Sequence, residues 1–427
     1  MRDVRENLLE QMARLPVVDS HSHLVLPGRR AADVLAEYTG QYLGHDLITA
    51  GMPRAQYERL ADPALPLDER FALAKPWLGL AKHTGYYRCV RATLRELLGV
   101  DDLTESTLAA ANAAYQKALR PEYYDELFAR LNIRACLIDH TGFDWPYEQA
   151  VCVQAYNTIH LFTPYSNGLL EQIAGFSGVR VRGFDSYLEA CEGLIRKKVA
   201  QQGVRVLKFP IAYTRKLSFP VTAYGEAEAE FNAVFSRRIQ YRDAISSTYG
   251  FDDCPNFQNY LMHRLMALCE ELELTCQFHT GFLAGHGNYL PNSRPTGLIP
   301  LIFQYPGVRF DLFHMAYPYQ AELGAMAKNY PNISVNMCWA HIISPTASVN
   351  ALAEWLDLLP VNKIIGFGSD VGAIDLAAGG LLMAKENIAA ALAAKIEQGL
   401  MDVDEAVDIA ARLLYHNPAA LYRLPGL

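Results

Sequence analysis

The residue types best suited to chemistry are histidines and one aspartate, each placed just after a short apolar run. In Val17-Val18-Asp19-Ser20-His21-Ser22-His23 two histidines stand at spacing i, i+2. In an extended chain that spacing puts both rings on one face, where they can reach one metal ion. Taken alone the pair serves equally well as two loop histidines in a chain with 12 histidines. His279 closes Leu274 to Phe278, His314 closes Val308 to Phe313, and Asp370 follows Phe367-Gly368-Ser369. Each has a bland alternative: a satisfied core histidine for His279 and His314, a helix N-cap for Asp370. Their joint placement argues against coincidence. Neutral imidazoles with a carboxylate suit zinc, and manganese or iron also fit. A catalytic ion acidifies a bound water, from a pKa of about 15.7 to about 7, and Asp370 is placed to ligate the ion or to shuttle the proton.

These side chains need elements that bring distant stretches together. Eight β-like runs recur: Val17 to Asp19, Ile133 to Ile138, Val179 to Phe184, Val204 to Phe209, Leu274 to Phe278, Val308 to Phe313, Ile333 to Met337 and Lys363 to Phe367. Helical periodicity fills gaps between them, as in Tyr187 to Ala200, Asn259 to Leu272, Gln320 to Lys328, Leu381 to Gln398 and Asp404 to Tyr415. Asn417-Pro418 fits an N-cap and first-turn proline of a last helix. Met1 to Leu15 places Val4, Leu8, Met12 and Leu15 on one helix face. The alternation predicts a parallel α/β fold, and the count of eight a (β/α)₈ barrel with its site at the C-terminal strand ends. The expected organisation is one barrel domain over residues 1–427. A helical insertion over 26–130 would cover the barrel mouth, and a second, aromatic-rich insertion would follow strand four. Tyr241 and Tyr249 belong to the latter.

Composition narrows the function. The chain has 427 residues, 51% hydrophobic and 20% charged, with a net charge of −8. The charges are interspersed, with no basic cluster for nucleic acid or an anionic membrane. No uninterrupted apolar run is long enough for a bilayer. Eight cysteines without CxxC spacing read as reduced thiols of a cytoplasmic protein. The partner expected is a small-molecule substrate, with a homo-oligomer left open.

Lys208 lies in the fourth run. If it shares the barrel interior with Val206, its ammonium is costly to bury unless paired or modified. A register slip of one would instead turn it toward the helix layer. Just beyond, Tyr213 and Arg215 are candidate substrate-binding residues, since an arginine there can grip a carboxylate bidentately. Asp139 and His140 follow strand two and face the same mouth. His286, Tyr317, Trp339 and His341 follow strands five, six and seven, and are equally well read as packing or loop residues.

His21-Ser22-His23, Lys208, His279, His314 and Asp370, in that order, resemble the ligand series of the amidohydrolase superfamily. The segments LKFPIAYTRKL, CQFHTGF, LFHMAYPY and FGSD are similar to its amidohydrolase-2 branch, and Gly85-Tyr86-Tyr87 to Leu98-Gly99 resembles uronate isomerases of the same superfamily. The resemblance implies a metal-dependent hydrolase cleaving an amide, lactone or ester by metal-bound hydroxide. It leaves two other chemistries standing, sugar-acid isomerisation and non-oxidative decarboxylation, and a non-enzymatic binding barrel as a lesser reading. It further implies that Lys208 is carboxylated and bridges two zinc ions. The rival is an ordinary ammonium beside one ion.

Overall fold

A computed structural model of the chain describes residues 2–164, 166–237, 254–424 and 426. Tyr241 and Tyr249 lie outside the described residues. Eight parallel strands follow one another around a single sheet: β1 Val17–Ser22, β2 Ile133–His140, β3 Cys152–Asn157, β4 Val206–Phe209, β5 Thr275–Phe278, β6 Arg309–Leu312, β7 Ile333–Asn336 and β8 Ile364–Ile365. The ring closes where Ser20 N–H donates to Phe367 O at 3.2 Å and Asp370 N–H to His21 O at 2.9 Å. All residues of β1 are buried, as a strand covered on both faces requires.

Seven of the eight predicted strands coincide with observed ones; the third does not. The strand between β2 and β4 is Cys152–Asn157, in register with Cys136–His140 on one side and Val206–Lys208 on the other. Val179 to Phe184 has no ladder partner among the described residues. It follows the helix Asn167–Ser177, ended by Gly178 at φ 81°, and leads into the helix Phe184–Gln202. Val179 and Val181 pack partly buried against the core, which produces strand-like alternation in a connecting segment. Asn417 is also not a cap. The chain is already helical through Arg412–His416, and Asn417 has helical dihedrals of φ −66° and ψ −50°. Its side chain instead donates to Val361 O and Ile364 O, both at 2.8 Å.

The floor of the barrel is sealed by the C-terminal helix Asn417–Tyr422. Ala419, Tyr422 and Leu424 pack with Val18, Ala135, Leu137, Ala155 and Val206 in a separate apolar cluster. The outer layer holds the main core, to which the N-terminal helix Arg2–Met12 contributes Leu8 and Met12. The helix Ile374–Glu397 is long and apolar enough, by length and composition, to cross a membrane, and it is largely buried inside the protein.

Between β1 and β2 lie helices including Val34–Thr39, Tyr42–Thr49, Leu67–Ala81 and Gly85–Thr93. Two contacts fasten them to the helix Ile374–Glu397. Arg30 donates to Glu37 at 3.0 Å and to Asp375 at 2.5 Å, with all three side chains nearly fully buried. The helix Gly85–Thr93 approaches Ile374–Glu397 at Gly379, where a Cβ would stand 2.3 Å from Thr93 Oγ1 and 2.4 Å from Cys89 O.

Candidate metal centre

The end of β1 carries a register irregularity between Asp19 and Ser22. Such a bulge re-aims the side chains beyond it. Asp19 holds the distorted segment against the loop after β8. Its Oδ1 accepts from His21 N–H at 3.3 Å and from Ser369 N–H at 2.8 Å. Burial raises the Asp19 carboxyl to about 6, against the hydrogen bonds from Ser369. The result brings His21 and His23 to Asp370 Oδ1, at 3.6 and 3.0 Å. His314 Nε2 lies 3.8 Å from the other oxygen, Oδ2. His279 Nδ1 is 3.1 Å from His314 Nε2. Asp370 with His21 and His23, and Asp370 with His314 and Cys338, each form a group compact enough to hold an ion.

The second hydrogen bond of each ring fixes where its lone pair points. His279 Nε2 faces Phe282 O at 2.8 Å, and His314 Nδ1 faces Cys338 O at 2.9 Å. A carbonyl only accepts, so both of those nitrogens carry hydrogen. The facing atoms, His279 Nδ1 and His314 Nε2, are then two lone pairs in contact. His21 follows the same logic one step removed. Gln277 Nε2 donates to Ser20 O at 3.0 Å, so its Oε1 is the acceptor for His21 Nδ1–H at 3.2 Å. Among the described residues His21 Nε2 is left buried without a hydrogen-bond partner, facing the carboxylates of Asp139 and Asp370. Lone pairs turned toward lone pairs and carboxylates repel unless a cation lies among them. The four histidines and Asp370 therefore fit a metal ion, as nitrogen and oxygen donors suited to a divalent one, with Cys338 beside His314 and Asp370.

Electrostatics agree with ligands kept neutral. Burial pushes His314 down to about 4 and holds His21 and His279 well below the ordinary histidine range. His23 is the exception. Burial opposes its charge, but the hydrogen bond to Asp370 and the charge of Asp139 raise it. Burial works to raise Asp370, and the His23 hydrogen bond with the surrounding histidines holds it far below the usual carboxylate range.

The backbone is strained where these side chains emerge. His314, Met315, Ala316, Trp339 and Asp370 all have positive φ, between 45° and 62°. For non-glycine residues that costs about 1–3 kcal/mol each, and such residues concentrate at functional sites.

Lys208 is buried, on the face of β4 shared with Val206, and pairs in register with Asn157 and Gln277. Its Nζ stands 3.7 Å above the Phe313 ring. Burial lowers the ammonium's pKa, against the pull of Asp370 and Asp139. Tyr213 stacks edge-on to His279 at 4.7 Å, and its hydroxyl accepts from Ala284 N–H at 3.0 Å. Arg215 is not brought to the cluster by its described hydrogen bonds. These run to Ser218 O, Pro255 O, Gln258 and Asn259, at 2.8–3.2 Å, and tie the loop after β4 to the helix Pro255–Glu271.

Residues outside the expected set join it. Asp139 reaches within 3.6 Å of His21 and 3.9 Å of His23, and Asn157 Nδ2 donates to both its oxygens. Asp139 is expected at the same mouth, since it follows strand two, but not within the ligand series. Gln277 lies two residues before His279 on the same strand face, a signal also present in the sequence. Tyr42, from the insertion, donates its hydroxyl to Asp370 O at 2.5 Å, and no local pattern announces that contact.

Comparison with known proteins accords with this geometry. The chain is similar to a uronate isomerase from Thermotoga maritima, with TM-score 0.81 and 14% identity over 98% of this chain and 97% of that one. It is similar to a glucuronate isomerase from Caulobacter crescentus, with TM-score 0.79 and 19% identity over 100% and 95%. A Lactobacillus casei protein described as a metal-dependent hydrolase gives TM-score 0.65 and 18% identity over 97% of both chains. At these identities the likeness establishes the fold. The protein fluG of Emericella nidulans is 28% identical over 251 residues, 56% of this chain; the match spans only 28% of that relative's length. A family model described as amidohydrolase matches residues 18–424, and the chain belongs to that family, Amidohydro_2.

Proposed function

We propose that the protein is a metal-dependent hydrolase that cleaves an amide, lactone or ester bond of a small molecule. One observation carries the reading: the lone pairs of His21, His279 and His314 are turned by their second hydrogen bonds toward one another and toward Asp370. With His23, these residues would hold the ion; zinc suits their nitrogen-rich set, and manganese or iron fit as well. When bound, a divalent cation would polarise the scissile carbonyl and acidify a water. Asp370 takes that water's proton and returns it to the leaving group. Burial works against the charge of Asp370, and the hydrogen bond from His23 holds its pKa down so that it stays ionised for the first transfer. His23 orients the carboxylate through the 3.0 Å contact. Carboxylated, Lys208 would add an anionic ligand and suit two ions. Unmodified, its ammonium would remain over Phe313 beside one ion. Metal content of two per chain with activation by bicarbonate supports the former; one per chain without a bicarbonate effect supports the latter.

A second reading is uronate isomerisation, favoured by likeness to uronate isomerases along nearly the whole chain, the segment between β1 and β2 included. Incubating metal-loaded protein with amides, lactones, esters and uronates in heavy-oxygen water separates the readings. Hydrolysis places the heavy atom in the product and isomerisation leaves the substrate's mass unchanged. Release of carbon dioxide from a carboxylic acid would replace both with decarboxylation. A His21→Ala/His23→Ala protein that retains full metal content would refute the centre itself.

A further inference from the structure

Because Arg215 is engaged by the frame, an anionic substrate group must be met by another cation at the mouth. A cleft of about 850 Å³ opens beside the histidine cluster, between the segments that follow β1, β2 and β3. It reaches the cluster at His23, whose side chain is 47% exposed, against 5% for the Asp370 it contacts. The cleft is thus where a substrate held at the centre has room to extend. Leu26, Phe143, Pro146 and Phe176 make much of its lining apolar.

Arg29 is the one lysine or arginine among the residues lining it. Arg29 and Arg30 are neighbours with opposite roles. Arg30 is buried and bound to Glu37 and Asp375. The Arg29 side chain is exposed and, among the described residues, makes no hydrogen bond or ion pair. Burial pushes the Tyr147 hydroxyl, which also lines the cleft, up to about 12, and the charge of Arg29 opposes it. His140 does not compete for an anion. Its Nε2 donates to Asp144 O at 2.9 Å, leaving Nδ1 as an acceptor. Gly142 permits that fold of the loop, since a Cβ there would stand 2.4 Å from His140 Nε2.

We propose that this cleft is the subsite for the carboxylate-bearing end of a small organic acid, gripped by Arg29 with its hydrocarbon part on the apolar wall. The proposal rests on the reading of the histidine–aspartate cluster as the reacting centre. A guanidinium fork matches a carboxylate. A dianion such as phosphate would meet one cation, with Asp144 also lining the cleft. A polyhydroxylated acid would leave hydroxyls against apolar side chains, which costs free energy when they find no partner. The subsite thus favours an apolar acid over a sugar acid.

The test is titration of the metal-loaded protein with phenylacetate, phenylacetamide, glucuronate and inorganic phosphate, read by calorimetry. A charge-assisted pair is worth about a factor of ten or more. Phenylacetate is expected to bind at least about tenfold tighter than the other three. Arg29→Ala should abolish its advantage over the amide with metal content unchanged, and Arg29→Lys should keep part of it. Phenylacetate affinity unchanged in Arg29→Ala would place the carboxylate elsewhere and overturn the proposal. Equal or tighter binding of glucuronate or phosphate, lost in Arg29→Ala, would overturn the assignment of ligand class. Metal uptake measured on the same protein separates the two readings. Arg29-dependent binding in a protein that takes up no metal when offered it would sink the metal centre and leave the subsite standing, and metal uptake without Arg29-dependent binding would do the reverse.

Discussion

Gln277 is fully buried, yet it decides which nitrogen of His21 faces Asp139 and Asp370. Its amide is locked by Ser20 O on one side, so its oxygen must accept from His21 Nδ1. Loss of such a partner typically costs 10–100-fold in metal affinity. Gln277→Leu is expected to weaken metal binding by about that factor while leaving the number of sites unchanged; competition with a coloured chelator measures it, and unaltered affinity would remove the positioning role. Asp370→Asn separates ligation from proton transfer, because an amide oxygen can bind an ion but does not take up a proton at neutral pH. Turnover should fall by about 10²–10⁴ with metal restored to the wild-type level. The ligand candidates were legible in the sequence because each ends an apolar run. Their supports were not, since Tyr42 and Asn157 act from elements whose approach to the site depends on the completed fold.

At the scale of elements, the C-terminal helix does more than close the floor. Tyr422 Oη donates to Asp311 Oδ2 at 2.6 Å and accepts from Gln277 and Asn336, each at 3.2 Å. Asn336 in turn accepts from Ser20 Oγ at 3.3 Å and Cys338 N–H at 2.8 Å. A buried polar network thus runs from the last helix through β5, β6 and β7 to the segments bearing His21 and Trp339. Tyr422→Phe preserves the packing and strands the partners, at about 1–3 kcal/mol. A lower urea midpoint together with weaker metal affinity is expected, and a stability loss with unchanged affinity would confine the network to structure. The sequence could place the last helix from its first-turn proline, Pro418. It could not show that a tyrosine from that helix enters the barrel. The misplaced third strand has a related cause. Cys152–Asn157 mixes Gln154 and Asn157 with apolar residues because its polar side chains are buried on both faces, so no run of hydrophobic residues marks it. Val179 and Val181 alternate more cleanly while pairing with nothing.

For the molecule as a whole, acid stability is set by histidines that the fold keeps neutral. His341 is a clear case. Burial depresses it to about 4, against its hydrogen bond to Gly366 O, which at 2.8 Å fixes the protonated nitrogen. Unfolded, it would titrate near 6.5. Between those values the unfolded chain binds the extra proton, so stability rises with pH across the window and falls on acidification through it. The linkage amounts to roughly 3 kcal/mol between pH 7 and pH 4. Asp19 and Asp311 act with the opposite sign, since burial raises both to about 6. Their contribution is full below their unfolded values near 3.8 and is lost as pH rises through 6, which partly masks the histidine effect in the wild-type curve. Comparing His341→Gln with wild type in the chelated state cancels the two aspartates and removes metal linkage. The wild-type stability between pH 4.5 and 6 should climb more steeply than the variant's by up to about 1.4 kcal/mol per pH unit, the slope of one proton. Urea denaturation at a series of pH values gives that difference directly. Parallel curves would mean that His341 is protonated alike in the folded and unfolded chains, and the acid limb would then belong to the other histidines that burial depresses, His21, His160, His279 and His314 among them.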